Sequence, residues 1–195
     1  MPSPRTDLLP THFDTRRFFL HESAPCMSAA QRRKFARDLE RFARRTEAAG
    51  RHDADAMIFE TLVIFGKAGR DIDAARWTAL ALDVTAQVRR GDVAGAAARL
   101  MPQGADITHE STEDGHRIAH LTIRDDEITL EAEAAAWSPA AAMVAVLFRA
   151  LACHFTETPD NPADAAGHGD PDAGPCRLDA VIGEVACAAG SSGGV

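Results

Sequence analysis

The chain has 195 residues, 46% of them hydrophobic, and 21 Lys and Arg against 29 Asp and Glu give a formal net charge of −8. Much of the apolar content is Ala, Tyr is absent, and only 9 Phe and 2 Trp supply large anchors. This favours helices packed through small residues over a β-sandwich, and an acidic whole disfavours indiscriminate nucleic-acid binding.

The charge is unevenly spread. Residues 1–51 carry 11 Arg and Lys against 6 Asp and Glu, whereas residues 52–195 carry 10 against 23. Lys34 and Lys67 are the only lysines, and this arginine preference, with the Ala and Gly load, points to a GC-rich bacterial genome. The opening MPSPRTDLLP has no basic segment leading into an apolar one, so no secretory signal is expected. The longest apolar stretch, AAAWSPAAAMVAVLFRALACHF, is broken by Ser138-Pro139 and Arg149 and is expected to fall short of a membrane span. Cys26, Cys153, Cys176 and Cys187 form no close pair, and without an export signal reduced thiols and a cytoplasmic location are expected.

In chain order, residues 1–27 read as an arm carrying Phe13 and Phe18-Phe19-Leu20. Ser28 with Gln31 three residues later forms a capping box that opens a helix. Phe35, Leu39 and Phe42, flanked by Ala36 and Ala43, give it an apolar stripe, and Gly50 is placed to end it in the left-handed conformation.

TLVIFGKAGRDIDAA at 61–75 has the look of a strand feeding a phosphate loop. However, Ala54, Ile58, Leu62 and Phe65 form a helical face, and no turn residue precedes the run. A phosphate-binding loop also needs a Ser or Thr directly after its Lys, and here Ala68 follows Lys67. The spacing predicts a buried helix over 53–68 with Gly69 as its stop. Gly50, Gly69 and Gly91 then punctuate successive helices, the pattern of a bundle or a short irregular α-repeat. A third helix carries Trp77, Leu80, Ala81, Val84 and Val88 to Arg90, and a fourth runs from Asp92 to Met101 before Pro102.

Beyond Gly104 the period becomes two. Ala119, Leu121 and Ile123 alternate with polar residues, as do Ile128, Leu130 and Ala132. A two-residue turn at Asp125-Asp126 would pair Ile123 with Ile128, Leu121 with Leu130 and His120 with Glu131. Ser138 and Pro139 open a last helix, whose face of Val144, Leu147, Phe148, Leu151 and Phe155 should cover the hairpin. From about residue 158 the composition turns to Pro, Gly and Asp, that of a disordered tail. The expected class is α+β and mainly helical: arm 1–27, one globular domain 28–157, tail 158–195.

Chemistry-bearing residues are few. Arg32, Arg33, Lys34, Arg37, Arg41, Arg44 and Arg45 crowd the first helix, with Asp38, Glu40 and Glu47 as relief. Like charges four residues apart repel, so this helix gains nothing from its arginines in water alone. They serve either the chain's own acidic remainder or an anionic partner. His116 and His120 share a strand face, but residues four apart on a strand lie roughly 13 Å apart and cannot share an ion. Cys153 and His154 are adjacent on a helix and point about 100° apart, so Cys153 reads as a buried structural thiol. No metal and no cofactor is expected.

These observations predict a non-enzymatic interaction protein: an adaptor, chaperone-like factor or regulator. Arg33, Arg37, Arg41, Arg44 and Arg45 would form its partner surface. An acidic protein partner is expected first and nucleic acid second, with no membrane; a homodimer is compatible with the same surface. An enzyme whose site is assembled across elements is the third expectation.

Overall fold

Ser28 begins the first helix, α1 (Ala29–Ala48), through a complete capping box. Its hydroxyl accepts from the Gln31 N–H at 3.3 Å, and Gln31 Oε1 accepts from the Ser28 N–H at 2.8 Å. The computed structural model describes residues 28–124 and 129–157, with the backbone alone at 67–72 and 157. The expected arm and tail lie outside the described residues.

Gly50 does not adopt the left-handed conformation expected of it; among the described residues only Gly91, Gly104 and Gly115 have positive φ. Ala49 leaves α1 in an extended conformation, and the Gly50 N–H donates to Asp53 Oδ2 at 3.0 Å, so a side chain closes this turn. The next helix, α2 (Ala54–Arg89), runs through Gly66, Lys67 and Gly69 without stopping. Its break comes at Asp73 (φ −151°, ψ 88°). The Asp73 carboxylate accepts from the Arg76 N–H at 3.0 Å, which caps the second half of α2 as a new helix. The punctuation expected at Gly69 is therefore real but sits four residues later. Gly91 (φ 81°) makes the next turn, where the left-handed backbone favours glycine. Asp92 then caps α3 (Val93–Arg99) by accepting from the Gly95 N–H at 2.9 Å.

The sheet has three antiparallel strands in the order β1 (Asp106–Ser111), β2 (Arg117–Arg124), β3 (Thr129–Ala136). The expected hairpin is β2–β3, and β1 adds an edge. Ile123 pairs with Leu130, Leu121 with Ala132 and His120 with Glu133, so the register is two residues off that of a two-residue turn. Asp125, Asp126, Glu127 and Ile128 lie outside the described residues. A shift of two leaves each side chain on its expected face. Ala119, Leu121, Ile123, Leu130 and Ala134 are accordingly buried.

Ser138 caps α4 (Pro139–Glu157), accepting from the Ala141 N–H at 3.1 Å. Pro139–Thr156 is long and apolar enough by composition to cross a membrane, contrary to the expectation, and 78% of it is buried inside the protein. It is the central element. One side packs on β2 and β3, another on α1, with α2 and α3 completing the shell. Phe42 and Phe65 both pack on Phe148, at ring-centroid distances of 4.3 and 5.1 Å, while Phe35 meets Phe155 edge to face at 4.8 Å. Ala140, Ala141, Ala142, Ala145 and Ala150 let the neighbouring backbones approach, and each large buried side chain contributes about 1.5–3 kcal/mol. The first helix of the domain thus packs along the last one, so the helices do not stack in sequence order as a repeat would.

Candidate partner-binding surface

At about 100° per residue, Arg33, Arg44, Arg37 and Arg41 fall within an arc of about 80° on α1. That arc is centred opposite the stripe of Phe35, Ala36, Leu39, Phe42 and Ala43. Packing on α4 therefore turns the arginines outward. All four are exposed, and so are Lys34 and Arg45. Arg32 departs from the group: it lies on the packed side and is only 4% exposed.

The acidic residues of α1 sit at the margins of this arc. Asp38 accepts from Arg41 at 3.1 Å and Glu40 from Arg44 at 3.0 Å; both guanidinium groups lie mostly in water, which keeps the pairs weak. Arg45 reaches Glu60 on α2, with its guanidinium 4.9 Å from the Phe42 ring centre. Among the described residues, Arg33 and Arg37 have no carboxylate within 4.0 Å. Of the five predicted site residues, Arg45 alone answers an acid elsewhere in the described chain, two bond within α1, and two are unpaired.

The outer face of the sheet has the opposite sign. Strand alternation places Asp106, Glu110, Glu131 and Glu133 there, away from α4, against one arginine, Arg124, among the described residues, with Ile118, His120, Thr122 and Ala135 between them. His120 is flanked by Glu133 at 3.4 Å and Glu110 at 3.9 Å, and lies opposite Glu133 where Glu131 was expected. His116 precedes β2; its ring packs on Trp137 at 3.8 Å and bonds Asp114 at 3.0 Å. Hydrogen bonds from Thr112 and then His116 hold the Asp114 carboxyl below its ordinary range. Arg51 also lies over Trp137, 5.2 Å from the ring centre. Among the described residues no three His, Cys, Asp or Glu side chains converge as a metal site.

A cleft of about 640 Å³ opens between the end of α3, β1 and α4. Leu80, Met101, Ile107 and Met143 give it apolar walls, with Arg99, Asp106 and His109 at its polar edge. Arg99 donates to Asp83 at 2.7 Å, and this bond is the main cause holding the Asp83 carboxyl below its ordinary range. The cleft was not expected, because β1 carries a single large apolar residue. Cys153, expected to be buried, is exposed, while His154 beside it is 5% exposed. Helix geometry separates them, one to the surface and one to the core.

Comparison with protein-family models, with curated proteins and with solved structures finds no significant match for this chain.

Proposed function

We propose that the chain is a non-enzymatic protein-interaction module, an adaptor, chaperone-like factor or regulator that presents α1 to an acidic protein partner. Arg33, Arg37, Arg41, Arg44 and Arg45 form the contact surface. The observation that carries this reading is that Arg33 and Arg37, on an outward cationic arc, pair with no carboxylate among the described residues, on a helix whose other side is locked into the core. An anionic partner relieves the repulsion along this face and steers its own approach.

A nucleic-acid-associated regulator is the second reading, favoured by the arginine composition of the arc and opposed by the acidic sheet and the net charge of −8. Capture of binding partners by the full chain, with and without nuclease, separates the two. The first reading expects acidic proteins retained after nuclease treatment. Loss of everything bound on nuclease treatment, or duplex binding that falls steeply with salt, favours the second.

A further inference from the structure

The cationic arc of α1 and the anionic face of the sheet point away from the same central helix. α1 is fixed to α4 through Phe35–Phe155 and Phe42–Phe148, and the sheet is fixed to α4 through Leu121, Ile123 and Leu130. Within one chain the two faces therefore cannot turn to meet. The link between α1 and β3 is made by Glu47, at the end of α1, and uses none of the outward arginines.

Resting on the reading of α1 as a surface for acidic protein, we infer that the acidic surface is the outer sheet face of a second copy of this chain. Charge and spacing both match. Arg33, Arg37 and Arg41 follow one another about 6 Å apart along the helix axis, with Arg44 about 4.5 Å further on. Glu131 and Glu133, alternate residues of β3, lie about 6.7 Å apart. The arc from Arg33 to Arg44 is about 16 Å long, and β3 is about 25 Å long, so the helix fits along the strand. Glu110 and Glu133 have side chains 70% and 60% exposed, leaving them open to a guanidinium from outside. Ile118 and Ala135, paired beside them, give the aliphatic stems of the arginines a surface to lie on.

The contact is heterologous: the helix of one copy meets the sheet of the next. Each added copy leaves one basic and one acidic face free, so association continues as a chain or closes into a ring. An interface this charged is salt-sensitive, because screening shortens from about 30 Å at 0.01 M salt to about 3 Å at 1 M.

Sedimentation velocity on the full chain tests the inference, with R33E/R37E and E131K/E133K as variants. At about 20 mM salt the wild type should exceed its monomer mass of 20.8 kDa increasingly with concentration, and about 0.5 M salt should return it to monomer. Each variant alone should stay monomeric. Mixed, they should associate again, because the acidic sheet of the first still accepts the basic helix of the second and the reversed helix of the first suits the reversed sheet of the second. The neutral pair R33Q/R37Q with E131Q/E133Q keeps only the first of these contacts and should stop at a one-to-one complex. Where a reversal prevents folding by circular dichroism, R33Q/R37Q or E131Q/E133Q replaces it and should weaken association at least tenfold. A wild type that stays monomeric at about 0.1 mM chain in low salt overturns the inference. Association that survives either reversal, or mixed variants that ignore each other, does so too. If the wild type is monomeric yet R33E/R37E loses capture of a foreign acidic protein, this inference fails and the proposed function stands. If that capture also persists, both fail.

Discussion

The Arg149 guanidinium donates to the Glu47 carboxylate at 2.8 Å, tying α4 to the end of α1 across 102 positions of chain. Its other amino group donates to the Glu133 carbonyl at 2.9 Å, and Glu47 Oε1 accepts from the Ala135 N–H at 3.4 Å. One ion pair thus joins three elements and sets how α1 lies against the domain. Arg149→Met should lower stability by about 1–3 kcal/mol, since it leaves a mostly buried carboxylate without its guanidinium. Denaturant unfolding of Arg149→Met, Glu47→Gln and the double variant checks this. Strict additivity would show that the pair is not coupled.

The strand register makes a separate prediction. Ile123 and Leu130 are directly paired and buried, whereas Leu121 lies opposite the smaller Ala132. Leu130→Ala should cost about 2–4 kcal/mol, and Thr122→Ala on the outer face well under 1 kcal/mol. A mutant cycle should show stronger coupling of Leu130 to Ile123 than to Leu121. The reverse order would restore the pairing of a two-residue turn.

Asp83 carries a pH signature. Its carboxyl is held below the ordinary range by the hydrogen bond from Arg99, with the Gln87 side chain also donating to it at 3.3 Å. A carboxyl whose folded pKa is lowered stabilises the fold above its unfolded value, and that contribution disappears as pH falls through the folded value. Asp83→Asn should therefore be less stable than the wild type at neutral pH, and the difference should close as pH falls through the lowered folded value, below the ordinary carboxylate range. Chemical denaturation across that range measures it. A difference unchanged at low pH would mean that Asp83 acts by packing rather than by charge.

Local signals made several elements legible. The Ser28–Gln31 box and the Phe35–Phe42 stripe predict α1, and Ser138-Pro139 with the Val144–Phe155 face predicts α4. The faces of β2 and β3 follow from alternation, but their register does not, because a shift of two leaves the alternation unchanged. β1 has only Ile107 as a large apolar residue and is held by its pairing to β2, which is a partnership between distant residues. The packing of α1 on α4 has no local signature for the same reason. At the candidate surface, the arginines were visible as composition. The inward turn of Arg32 was available from helix periodicity, since it lies within the angular range of the apolar stripe. The acidic outer sheet face required β1 and the true register before Glu110, His120 and Glu133 could be brought together.

The central claim is that the outward arginines of α1 serve a partner and not the fold. Its most direct measurement is the melting temperature of R37E/R41E/R44E taken together with partner capture by the same protein. These three side chains bond only within α1 or not at all among the described residues, so the reversal should leave the melting temperature within about 2 °C of wild type while capture is lost. A substantially lowered melting temperature, or a stable variant that still captures every wild-type partner, would contradict the account.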